Sequence, residues 1–195
     1  MTALLVLVLL ALPNVAFAGW EPTAEANGCA FFKAPADADG VQAVRAVCEW
    51  DVDPKALQRL LAKHADHDLY FSSVSHCDVL GSANGVDRAW QRHEAAGITA
   101  REVVVDMWSE PIPGGLRFNW KKSADQTGLT GDGVEVVKDT GKWEVTEGKN
   151  GGAHVVYELA YGPGGMVPGF VVRWFQGAGT QALVGELLAY AKKPR

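Results

Sequence analysis

The sequence has no cluster of positive charge. Its 18 Lys and Arg are outnumbered by 23 Asp and Glu, for a net charge of −5, and they are scattered along the chain. No basic stripe is available to neutralise phosphates, so nucleic acid is excluded as a partner. The same deficit weighs against strong attraction to anionic membranes. Standard catalytic motifs are missing as well. There is no G-x-S-x-G, no cysteine set beside a recognisable histidine partner, and no Gly-rich turn that opens on Lys-Ser or Lys-Thr. The usual acyl-transfer and phosphate-cradling devices are therefore not expected. His64, Asp66, His67 and Asp68, with His76 and Asp78 downstream, match no zinc spacing. They read as the polar end of a helix, so no metal and no cofactor is expected.

Long apolar runs are confined to one place. Ala3 to Leu12 is unbroken, Pro13 and Asn14 interrupt it, and Ala16-Phe17-Ala18 offers small residues at a cleavage site. The run is shorter than the roughly 20 residues that cross a bilayer. No Lys or Arg precedes it, but the arrangement is that of a secretory signal peptide over residues 1–18, cut before Gly19. An uncleaved anchor is the alternative. Cleavage implies a periplasmic or extracellular protein and one domain over residues 19–195. Cysteine is scarce and odd in number: Cys29, Cys48 and Cys77. Export permits disulfides, but one thiol must be left over. A hairpin turning at Pro35 to Gly40 sets Lys33 opposite Val44 and, counted back, 29 opposite 48. The alternative is three small buried hydrophobic side chains.

What is present is the patterning of an ordinary globular domain, 48% apolar and 21% charged in 195 residues. Cys29 to Ala34 and Val41 to Trp50 read as strands. Asp53-Pro54 opens a helix as cap and first residue, with Leu57, Leu60, Leu61 and His64 on one face. From Ser73 the period becomes two. Ser73 to Leu80 and Val86 to His93 pair across Gly81 to Gly85, and Arg101 to Ser109 follows. Leu116, Phe118 and Trp120 alternate with polar residues. Val134 to Lys138 and Trp143 to Thr146 are shorter, and Ala153 to Tyr161 alternates again. Met166 to Lys193 reads as a long helix with an apolar stripe, bent or loosened near Gly177 to Gly179. Its aromatic face must bury itself against the sheet. The order predicts an α+β fold, a curved antiparallel sheet wrapped around a long C-terminal helix. If the sheet curves enough, space is left that side chains do not fill.

Three motifs carry a resemblance. Arg101-Glu102-Val103-Val104 is similar to an Arg-Asp-aromatic-Val strand. Thr140-Gly141-Lys142-Trp143-Glu144-Val145 is similar to a Gly-x-Trp strand after a turn. Tyr161-Gly162-Pro163-Gly164-Gly165-Met166-Val167-Pro168-Gly169-Phe170 resembles an Asp-Pro-Gly-Gly-x-Ile-Pro-x-Trp lead-in to a final helix. In this order they resemble the START (steroidogenic acute regulatory-related lipid-transfer) family, within the wider group of polyketide cyclases and the birch-pollen allergen. Glu102 and Gly162 stand where the family has Asp.

The resemblance implies a helix-grip fold with an internal cavity for a lipid or sterol-like ligand, in a carrier or sensor. The alternative is a cyclase or hydrolase acting on an apolar substrate in that cavity. The expected partner is a hydrophobic small molecule, met as a monomer with at most transient membrane contact. The chain carries seven tryptophans. Trp90, Trp108, Trp120, Trp143 and Trp174, with Phe118, Tyr157 and Phe170, are candidates for the cavity wall; plain core packing is the alternative. Arg101 shares a face with Val103, Val105 and Met107. In the family such an arginine meets a ligand's polar end; a strand-end salt bridge is the alternative. Glu102, Asp106 and His93 are the acid–base candidates if the protein is an enzyme.

Overall fold

Two-residue alternation of buried positions marks the strands Cys29–Ala36, Gln42–Trp50, Lys138–Glu147 and Ala153–Gly162 of the computed structural model, which describes residues 19–95 and 97–193. The expected leader lies outside the described residues. β1 (Glu21–Ala26), β2 (Cys29–Ala36) and β3 (Gln42–Trp50) form a meander. α1 (Pro54–Leu61), a 3₁₀ turn (His64–Asp66) and α2 (His67–Tyr70) cross to the far edge. There β4 (Val74–Ala83), β5 (Val86–His93), β6 (Arg101–Ile112) and β7 (Gly115–Lys122) begin a second meander. β8 (Val134–Glu135) runs parallel to β6. β9 (Lys138–Glu147) and β10 (Ala153–Gly162) then bring the chain back beside β3. The spatial order is β1-β2-β3-β10-β9-β7-β6-β5-β4, antiparallel throughout that path.

The registers put one row of side chains on the inner face. Ala46 faces Tyr157, Tyr157 faces Trp143, Trp143 faces Phe118, and Trp120 faces Met107. α1 starts as expected: the Asp53 side chain accepts from the Lys55 amide 2.9 Å away, and Pro54 occupies the first turn. Leu57, Leu60 and Leu61 are buried beneath it.

The final helix is in three parts. α3 (Gly169–Trp174) begins after Pro168 rather than at Met166. A π-helical turn (Phe175–Gly179) occupies the segment expected to loosen, and α4 (Thr180–Ala191) follows. Gly177 and Gly179 both lie in the turn, where weak helix propensity makes departure from α geometry inexpensive. α4 buries Thr180, Val184 and Leu187 and packs on β3, α1 and α2. No helix among the described residues is long and apolar enough to cross a membrane.

Cys29 and Cys48 oppose each other across β2 and β3, in the register that sets Lys33 opposite Val44, and form a disulfide; Cys77 is a free buried thiol. The bridge closes a loop of 19 residues in sequence. Replacing both cysteines by Ala is expected to lower unfolding free energy by about 3 kcal/mol, the chain-entropy value for a loop of that length. Urea unfolding of the double variant beside the oxidised parent measures it; an unchanged midpoint would show that the bridge constrains nothing.

Candidate functional site

A cavity of about 110 Å³ lies between the concave face and the final helix. Phe71 and Val74 close one side, Leu183 of α4 closes the top, and Trp120, Trp143, Tyr157 and Leu159 form the floor. The aromatic floor is ordered by contact. Trp143 stacks on Phe71 with ring centroids 6.1 Å apart and planes 8° from parallel; Tyr157 lies 4.3 Å from Trp143 and stacks on Trp120 at 6.1 Å. Gly141 is what lets Trp120 lie flat across β9, since a Cβ there would fall on the indole ring and on the Glu158 carbonyl oxygen. Gly141→Ala is expected to cost about 2–3 kcal/mol, as overpacking does, and to displace Trp120. A blue shift lost or gained in tryptophan emission, read with the thermal midpoint, checks both effects; an unperturbed variant would contradict the close approach.

Polar side chains supply the smaller share of the lining surface. Trp120 donates from Nε1 to Asp139 Oδ1 at 2.7 Å. Asp139 is 3% exposed and has no second hydrogen-bond partner among the described residues. Burial pushes its carboxyl up to about 7, against the pull of the Trp120 hydrogen bond. His93 engages both ring nitrogens, Nε2 with Gln91 Oε1 at 3.1 Å and Nδ1 with the Tyr161 hydroxyl at 3.0 Å. With a carbonyl oxygen at one side, Nε2 carries the proton and Nδ1 accepts from the tyrosine. Burial pulls His93 down to about 4. His67 falls to about 4 as well, through burial and then through neighbouring His64. Burial raises Tyr157 and Tyr161 far above the ordinary phenol range. At neutral pH the histidines and tyrosines are therefore uncharged. Neither Lys nor Arg lines the cavity among the described residues.

The nine residues singled out from sequence divide. Trp120, Trp143 and Tyr157 meet at the cavity floor. Phe118 is on the same face but further along β7, buried in solid core. Trp90 and Trp108 are corrections. Gln91 and Met107 point into the cavity, so their strand neighbours point out of it. Trp90 lies beside His76 on the outer face, its indole N–H without a partner among the described residues. Trp108 lies beneath the Lys121 ammonium, 5.8 Å from the ring centroid.

Arg101 is also a correction. It is on the inner face and 3% exposed, but its guanidinium turns to the carbonyls of Thr99, Pro163 and Gly164, the last two at 3.3 and 3.5 Å. It pins the Pro163-Gly164-Gly165 turn and is not among the described residues that line this cavity. Phe170 and Trp174 have side chains outside the described residues. Of the acid–base candidates only His93 lines the cavity. Asp106 is half-buried on the outer face. Glu102 is fully buried there, accepting from the Thr130 hydroxyl and the Thr130 and Gly131 amides, with Arg92 3.1 Å away. Burial opposes its charge, and these partners outweigh burial and hold its carboxyl below the usual range. It clamps the loop between β7 and β8.

Asp139 was missed from the sequence. Extending the Trp143 period back through Gly141 places it on the inner face, but a lone aspartate ahead of a glycine reads as turn.

Comparison with solved structures places the architecture. A STAR-related lipid transfer protein fragment from Xanthomonas axonopodis superposes with a TM-score of 0.79 at 14% identity, over 90% of this chain and 99% of that one. Human StAR-related lipid transfer protein 5 gives 0.81 at 14% identity, over 91% and 88%. The Zhui aromatase/cyclase from a Streptomyces species gives 0.57 at 11% identity, over 78% and 94%. The chain thus has the helix-grip fold of START domains, shared with cyclase and aromatase proteins. No family model matches the sequence, and no curated protein matches it.

Proposed function

We propose that this protein binds a hydrophobic small molecule, a lipid or sterol-like compound, in the cavity between the sheet and α4, as a carrier or sensor and not as a catalyst. The observation that carries the reading is the vacancy itself: aromatic and aliphatic walls that enclose space their own side chains leave empty. Burial drives binding, at about 6 kcal/mol for each ~250 Å² of apolar ligand surface removed from water. The cavity as it stands is smaller than the roughly 300–1,000 Å³ of drug-sized sites, so a larger ligand requires the final helix to move. The π turn supplies a place for that motion, since Gly179 borders the cavity and a Cβ at Gly177 would meet nothing within 4 Å among the described residues. The same proposal places the mature chain outside the cytoplasm as a monomer with transient membrane contact. The Cys29–Cys48 disulfide supports the oxidising compartment.

One observation favours a second reading. Asp139 and His93 are buried ionisable groups displaced from their ordinary values in one cavity, a mark of acid–base chemistry. Against it, both ring nitrogens of His93 are occupied within the protein. The experiment is native mass spectrometry of purified protein with extraction of whatever co-purifies, followed by titration with N-phenylnaphthylamine, a neutral apolar fluorophore. Recovery of an apolar compound, unchanged after incubation, supports the carrier. Its conversion to product supports the enzyme. An empty protein that leaves the fluorophore dark overturns both.

A further inference from the structure

Granted that the cavity is a ligand site, on which this step rests, we propose that it selects an uncharged ligand bearing a hydroxyl, which donates to Asp139 and accepts from Tyr157, and that it rejects the matching carboxylate.

Beside Trp120, two polar atoms of the cavity lack a protein partner among the described residues: the second carboxyl oxygen of Asp139, since Oδ1 is taken by Trp120, and the Tyr157 hydroxyl. Both residues are almost wholly enclosed, at 3% and 2% exposed. They are held to the same indole, Asp139 by a hydrogen bond and Tyr157 by stacking, and the Asp139 charge bears on the Tyr157 phenol. One of these atoms can only accept while the carboxyl is ionised; the other can donate. A hydroxyl is the simplest group that serves both at once. An ether satisfies only the donor. A carboxylate would set a second negative charge beside Asp139 with neither Lys nor Arg among the described lining residues to offset it, and an unpaired buried charge is strongly disfavoured. Arg101 is not among the described lining residues, and its guanidinium is turned away to three backbone carbonyls at the turn.

Three probes of equal chain length separate these cases: octanol, its isomer heptyl methyl ether, and octanoate, each displacing N-phenylnaphthylamine from the purified protein at about pH 8. Octanol is expected to displace at about 5- to 10-fold lower concentration than the ether, the net worth of a hydrogen bond or two, and octanoate to be weakest. Asp139→Asn should narrow the gap between octanol and octanoate by about tenfold, and Tyr157→Phe should weaken octanol and the ether alike while sparing the fluorophore. Near-ultraviolet circular dichroism confirms that each variant is folded. Equal displacement by octanol and ether, or octanoate as strong as octanol, overturns the selectivity while leaving ligand binding intact. Failure of the parent protein to bind the fluorophore at all overturns the ligand site itself, and this step with it.

Discussion

Leu183→Trp is expected to abolish ligand binding and leave the fold in place. Leu183 is half-buried and reaches the cavity from α4. An indole in place of its isobutyl group occupies much of the 110 Å³ that the proposed ligand needs. The added ring enters existing space and does not displace packed neighbours, so the usual overpacking cost of about 1–3 kcal/mol is mostly avoided. Affinity for N-phenylnaphthylamine should fall at least about 100-fold, equivalent to about 2.7 kcal/mol or more. The thermal midpoint should change by no more than a few degrees. Fluorescence titration and calorimetry on the same preparation read the two effects. A stable variant that binds the fluorophore as well as the parent would place the ligand elsewhere.

Asp139→Asn is expected to stabilise the protein at high pH. The Asp139 carboxyl is raised from 3.8 to about 7 by burial. Between those values the folded state holds a proton that the unfolded chain has lost, so this group's contribution falls as pH rises from about 4 to 7. His67 and His93 act oppositely. Each is lowered from 6.5 to about 4, so the unfolded chain holds the extra proton and stability climbs over that window. Two rising contributions against one falling give a maximum near pH 6.5, with a decline just above it. Three units of displacement amount to about 4 kcal/mol as an upper figure. Asparagine retains an oxygen for the Trp120 N–H and cannot ionise. The variant should therefore exceed the parent by about 2–4 kcal/mol at pH 8 and match it near pH 4. Urea midpoints at the two pH values test this. An equal difference at both would mean that folding does not displace the Asp139 carboxyl from its ordinary value.

Much of the architecture was legible before the structure, for local reasons. The Asp53-Pro54 start, the alternation of Leu116, Phe118 and Trp120, and the loosening at Gly177 to Gly179 each follow from one segment's own chemistry. Even the facing of Cys29 and Cys48 came from counting back from one hairpin register. β1 was missed, although Asn27-Gly28, with φ of 54° and 72°, is the dipeptide of a tight hairpin. β4 likewise runs past Leu80 to Ala83 and turns at Asn84-Gly85. β9 begins at Lys138, not near Trp143, and that shortfall hid Asp139. Asp139 to Gly141, between the two short segments read as strands, contains too little apolar weight to read as strand until β10 is seen pairing with it.

By itself the sequence determined which residues share a face, because side chains alternate along a strand whatever it packs against. Only the tertiary structure decided which inner-face residues border empty space and which fill it. Phe118 and Trp120 are two residues apart on one face, yet one is core and the other wall. That difference depends on how far the sheet curves and where α4 crosses it, a balance of many packing contacts that no single segment encodes. The direction of Arg101 was decided there too. A buried guanidinium takes whatever acceptors surround it, and the Pro163 and Gly164 carbonyls reach it from over sixty residues further along the chain.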